Sequence, residues 1–288
     1  MLRADKFGVG ASPPTSWPDG RQPGAPGGPP VPPAADNVPG APWPPAPISS
    51  EPTLRRGGVA SATAVLLAIV CVVGVVGWNL VTVETTIGRD AQGRLVETTT
   101  SSLPPWLIAM VFVGLGLAVL TFFKPLLARF TAPLYAAVQG LVVGAISRVY
   151  EVQYDNIVVQ AVGLTIGVFA IMLVLYATGR IRVTPRFRLG VIAATGGIML
   201  VYLVSFVANL FGADFPLIHD NGIVGIGFSL VVVVIAALNL TLDFDFVDKA
   251  EQAGAPRQME WFAALSLTIT LIWLYLELLR LLAKLRSR

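Results

Sequence analysis

The residues of this 288-residue chain that could do chemistry are few, and most are acids set in or beside apolar runs. Cys71 is the only cysteine and His219 the only histidine. No intramolecular disulfide can form, and zinc clusters and histidine triads lack ligands. The sequence has no Gly-x-Ser-x-Gly elbow, His-Glu-x-x-His pair or P-loop. Gly225-Ile226-Gly227-Phe228 lacks the aspartate that a Gly-x-Gly-Asp intramembrane protease needs. No enzyme, cofactor or resident metal is expected. The acids remain. Asp243 and Asp245 close the run Leu242-Asp243-Phe244-Asp245-Phe246, Glu260 stands beside Trp261, and Glu277 lies deep in the last apolar stretch. A charge inside a membrane span costs several kcal/mol, so each is a candidate for function. Helical spacing turns Asp245 about 200° away from Asp243, which excludes a local carboxylate pair. Glu260, in a first helical turn, also suits the positive end of the helix dipole. Glu277 has Arg280 at i+3, where an ion pair is the plain alternative to a functional role. Gln139, Gln160, Asn209 and Asn239 read as hydrogen-bonding glue between helices.

The elements that must position these residues are membrane spans. The chain is 13% charged and 55% hydrophobic, with mean hydropathy +0.72. A water-facing globule draws on roughly 25% charged residues, so the composition fits an all-α membrane protein. Apolar runs long enough for a ~30 Å hydrocarbon core occur at Val59–Leu80, Leu103–Phe123, Ala132–Val149, Ile157–Ala177, Leu189–Leu210, Gly222–Leu242 and Trp261–Leu285. They predict a seven-transmembrane helix bundle over 57–288. Gly140-x-x-x-Gly144 and Gly163-x-x-x-Gly167 in adjacent spans predict close helix packing. Residues 1–56, rich in Pro, Gly and Ala, predict a disordered cytoplasmic tail with polyproline stretches. No apolar run follows Met1 within the first thirty residues, so no signal peptide is expected.

Charge in the loops sets orientation. Arg55 and Arg56 precede the first span, Lys124 and Arg129 follow the second, and Arg180, Arg182, Arg186 and Arg188 follow the fourth. Phe211–Asn221 carries no Lys or Arg. The positive-inside pattern puts the N-terminus in the cytoplasm of a cell whose plasma membrane holds the chain. Seven crossings then place Arg280, Lys284, Arg286 and Arg288 at the outer end, against the rule. Either the earlier loops fix topology or one segment is re-entrant. The four arginines of 180–188 are candidates for lipid headgroups. Net charge +3 and pI about 9.2 reflect membrane-flanking cations rather than a nucleic-acid partner. The external loop 81–102 has two threonine-rich arms around Gly88-Arg89-Asp90-Ala91-Gln92-Gly93, the pattern of a hairpin or a mobile polar loop.

Three blocks carry a family resemblance. They are Tyr135-Ala136-Ala137-Val138-Gln139-Gly140 through Ser147, Gly227-Phe228-Ser229-Leu230 leading to Leu242-Asp243, and Ala264-Leu265-Ser266-Leu267 through Leu282. In order and spacing they resemble the Bax inhibitor-1/YccA family over roughly 103–285. Gly254-Ala255-Pro256-Arg257-Gln258-Met259-Glu260-Trp261 looks like its actinobacterial branch. The resemblance implies a pH-sensitive calcium leak, or a modulator of membrane stress and proteolysis with a membrane protein partner. It implies a gate in which acids of the sixth and seventh helices share a proton and repel once both ionise. Asp243 matches the sixth-helix acid. The Ala-Leu-Ser-Leu register puts Thr270 where the second acid belongs, whereas a Leu-Tyr-Leu register selects Glu277. Glu277 lies about 25 Å along the helix from Glu260, which favours Thr270 and leaves Glu260 as the acid expected to approach Asp243. Lys124 or Arg129 would supply the arginine-type latch.

Overall fold

The computed structural model describes residues 52–89, 95–102, 104–211 and 222–287. Within them, seven helices are long and apolar enough to cross a membrane. They are α1 (Arg56–Asn79), α2 (Trp106–Phe123), α3 (Ala128–Gln153), α4 (Ile157–Ala177), α5 (Pro185–Leu210), α6 (Ile223–Gln252) and α7 (Met259–Arg286). The chain is an all-α membrane protein. Most of the helices outrun the apolar windows that predict them, because a helix does not stop where hydropathy does. α3 takes in Arg129, Arg148 and Glu151, and carries Pro133 in its second turn after a single 3₁₀ turn at Pro125–Leu127.

Local chemistry ends and starts the helices. α4 and α6 each stop at a left-handed glycine, Gly179 (φ 68°) and Gly254 (φ 64°), a conformation a Cβ would oppose. The amides of Gly254 and Ala255 return to the carbonyls of Glu251 and Ala250 at 3.0 Å each, the Schellman pattern. Gly179 and Arg180 repeat it on Tyr176 and Leu175. α5 begins with Thr184, whose hydroxyl accepts the Phe187 amide at 3.2 Å, followed by Pro185 at the first helical position.

Successive helices alternate in direction. The end of the bundle where α1 starts is termed proximal, and the opposite end distal. α7 is the central helix, packing on α1, α3, α4 and α6, and most of its residues from Ala263 to Leu279 are buried. α1 lies along α3 through a glycine seam. A Cβ on Gly144 would strike the backbone of Gly74, one on Gly77 the backbone of Leu141, and one on Gly140 the backbone of Val70. The second motif does not pack: a Cβ on Gly163 or Gly167 would meet nothing. Between α1 and α2, β1 (Thr82–Arg89) and β2 (Leu95–Ser102) pair antiparallel, with Thr82 opposite Ser102 and Arg89 opposite Leu95. The hairpin of the two alternatives is therefore formed. The turn residues 90–94 lie outside the described residues, as do most of the Phe211–Asn221 loop and His219.

The tail boundary drawn at residue 56 shifts. Residues 1–51 lie outside the described residues, but the last few before α1 belong to the bundle. Leu54 is 1% exposed. Its amide donates to the Ala255 carbonyl at 2.8 Å, and the Arg257 amide donates to the Pro52 carbonyl at 2.9 Å. This short strap holds the start of α1 to the α6–α7 connection. Leu54 is an apolar residue whose burial offsets ordering a proline-flanked segment.

Candidate functional site: a buried aspartate on the α6–α7 seam

α6 continues ten residues beyond the apolar run that predicts it, so Asp243 lies inside a helix rather than at its end. It faces α7 and is 9% exposed. Ser266 Oγ donates to Asp243 Oδ1 at 2.5 Å, and Thr270 Oγ1 donates to Oδ2 at 2.7 Å. Ser266 and Thr270 are i,i+4 on α7 and so share one face. Each carboxylate oxygen thus receives one neutral hydroxyl. Among the described residues no cation touches Asp243. Thr270 stands across from Asp243, in the register where the sixth- and seventh-helix acids of the resemblance would face each other.

The other acids are placed elsewhere. Glu260, expected to approach Asp243, does not: it is 7% exposed at the proximal end. Its Oε1 accepts the Arg55 amide at 3.1 Å, and Arg257 Nε lies 3.7 Å from Oε2. A Cβ on Gly58 would collide with this carboxyl. Ser266 and Thr270 lie about 9 and 15 Å along α7 from Glu260. The carboxylate serves the N-terminal dipoles of α1 and α7 instead. Asp245 points away from the seam and pairs with Lys249 at 2.6 Å. Asp248 and Glu251 hold Arg56 at 3.0 and 2.7 Å, and Tyr176 donates to Asp248 at 2.8 Å.

Glu277 is 2% exposed, well toward the distal end, and takes the ion pair that its spacing suggested. Arg280 reaches Oε1 at 2.9 Å and Oε2 at 3.1 Å, and Tyr202 of α5 donates to Oε1 at 2.7 Å. The guanidinium also lies over the Tyr202 ring, 5.1 Å from its centroid. Lys284, one heptad beyond Glu277, is buried and donates to the Gly225 carbonyl at 3.0 Å. Lys124, at the C-terminal cap of α2, and Arg129, over the Phe130 ring at 5.7 Å, are exposed and touch none of these acids. Arg180, Arg182, Arg186 and Arg188 are exposed around the α4–α5 connection.

The sequence profile of the Bax inhibitor 1 like family matches residues 22–287. The chain belongs to that family. The match is wider than the blocks between 103 and 285 that carry the resemblance, and takes in α1 and the hairpin. No curated protein matches the chain. Within this family member, the residues that sequence reasoning missed are Ser266 on the seam and Tyr202 on α5. Ser266 was within reach: it is the hydroxyl one turn before Thr270 on the same helical face. Tyr202 carries no signal, since only the packing of α5 on α6 brings its long side chain to Glu277.

Proposed function

We propose that this Bax inhibitor 1-like protein is a pH-sensitive cation leak pathway of the cell membrane, with the N-terminus and the proximal end in the cytoplasm. Calcium and protons are its ligands, and Asp243 is the gate carboxyl. The observation that carries the reading is the pairing of a buried aspartate with two hydroxyls and no cation. A carboxylate at the centre of a span costs about 2.5–3.5 kcal/mol on insertion scales, and a buried one that meets only neutral hydroxyls is unfavourable as a full charge. A proton or a passing cation is what balances it, and competition between the two links flux to pH. One carboxyl and two hydroxyls are far short of the six to eight oxygens of a calcium cage. Among the described residues no three metal-ligating side chains cluster. The site suits transit rather than tight binding. Flux from calcium-loaded vesicles tests this: Asp243→Asn should remove the pH dependence, and equal leak from the variant and the parent chain at every pH would remove Asp243 from the mechanism.

A second reading has its own support. Beyond Asp243 toward the distal end, Arg280 is locked to Glu277 and to the Tyr202 hydroxyl on the buried face of α7, a closed contact on the path a calcium ion would take. On this reading the bundle is a non-conducting, non-enzymatic scaffold for a membrane-stress or membrane-protease partner. A membrane pull-down distinguishes it: a partner lost on deleting residues 1–51, with no calcium flux from the intact chain, favours the scaffold.

A further inference from the structure

α1 packs on α3 and α7, and α4 on α6 and α7, which leaves α1 and α4 facing each other across a groove of about 1370 Å³. Its α1 wall runs through Val59, Thr63, Leu67, Cys71, Gly74 and Trp78. This single helical stripe is about 29 Å long at 1.5 Å per residue, close to the ~30 Å hydrocarbon core. On the opposite wall Val162 and Ile166 are 42% and 62% exposed. The volume exceeds the ~300–1,000 Å³ of small-ligand pockets. A long apolar trough open sideways to a bilayer fits alkyl chains.

The proximal mouth adds selectivity. Its lining charges are Arg56, Arg182, Asp245 and Asp248. Arg56 is held by Asp248 and Glu251, and Asp245 by Lys249. Arg182 is exposed and has no acidic partner among the described residues; Arg180, two residues away, is in the same position. The lining charges balance in number, but among the described residues Arg182 is the one of them with no partner of opposite sign, and a guanidinium fork matches a phosphate. We propose that the groove is a site for one anionic phospholipid, with its acyl chains between α1 and α4 and its phosphate on Arg182. The lipid would press on Phe244 and Val247, which line the groove from α6 on either side of Asp245.

The test uses the full chain extracted from vesicles of phosphatidylglycerol and phosphatidylcholine, with bound lipid counted by native mass spectrometry. One phosphatidylglycerol per chain should survive delipidation, and phosphatidylcholine should not. Arg182→Ala should weaken retention about fivefold, the effect of one surface cation, whereas Arg188→Ala, outside the groove, should not. Ile166→Trp should plug the trough and abolish retention. Should that variant fail to fold, the sole cysteine gives a second measurement, since phosphatidylglycerol should slow thiol labelling of Cys71 in the unaltered protein. Equal retention of the two lipids, equal behaviour of the two arginine variants, an unprotected Cys71, or displacement of the lipid by millimolar inorganic phosphate would each overturn the assignment.

Discussion

Two acids are buried against the same helix and handled in opposite ways. Asp243 meets α7 at Ser266 and Thr270 and receives two neutral hydroxyls. Glu277, two turns further along α7, receives a tyrosine hydroxyl and one arginine nitrogen, Nη1 of Arg280, that reaches both carboxylate oxygens. Both carboxylates face the cost of leaving water, and hydrogen bonds alone do not offset it for a full charge. At Glu277 the protein supplies the counter-charge, so the acid is committed to structure. At Asp243 the described residues supply none, and on the proposed reading the balancing charge comes from solution. Burial alone therefore does not distinguish the two acids; the missing counter-charge does.

The largest effect is expected from breaking the compensated site. Arg280→Met strands Glu277 as a buried, uncompensated carboxylate, and removing one partner of a buried pair costs about 3–5 kcal/mol. A marked fall in the unfolding midpoint of the detergent-solubilised protein is expected, with most of it recovered in the double variant Glu277→Gln/Arg280→Met. Asp243→Asn in the same assay should change stability by no more than about 1 kcal/mol, since the amide oxygen still accepts a hydroxyl. Equal losses at the two sites would erase the distinction between them.

Thr270→Asp sharpens the comparison from the other side. It sets a second carboxyl against Asp243, where the two can share one proton at low pH and repel once both are ionised. Calcium flux from vesicles should then rise more steeply with increasing pH than in the parent chain, by about tenfold across the transition for each ~1.4 kcal/mol of repulsion. A flat profile would mean that the α6–α7 seam does not govern passage.

Much of this arrangement was legible in the sequence, and the rest was hidden for physical reasons. Long apolar runs dictate spans because lipid leaves the backbone no other partner, so all seven helices were readable, with the larger errors at ends that carry charge and at the Pro104-Pro105 start of α2. The Asp243–Thr270 apposition followed from the family resemblance, through the Ala264-Leu265-Ser266-Leu267 register, and the hydroxyl contact stands where that register put it. Glu260 did not follow, because its partner is the Arg55 amide some two hundred residues away, and backbone donors leave no trace in composition. The glycine motifs show the same limit. Gly140 and Gly144 meet α1 across a seam that no Cβ could enter, while Gly163 and Gly167 face open space. One spacing served two helices, and only packing separated the interface from the lipid-facing surface. The strap at Pro52–Arg55 was hidden by the proline-rich composition around it, against which a single buried Leu54 is not visible.

The smallest effect belongs to Asp245, two residues from Asp243 and on the opposite side of α6. Its partner Lys249 is 58% exposed at i+4, and such surface pairs contribute about 0.3–0.5 kcal/mol. Asp245→Asn should therefore leave the unfolding midpoint nearly unchanged and the calcium flux unchanged at every pH. The two aspartates share a sequence context, a helix and a depth within one turn, so composition and local electrostatics cannot separate them. Only the face does: one carboxyl is turned to the hydroxyls of α7 and the other to an exposed lysine. A pH-dependent flux that responded to Asp245→Asn as strongly as to Asp243→Asn would place the controlling charge at the proximal mouth of the bundle rather than on the α6–α7 seam.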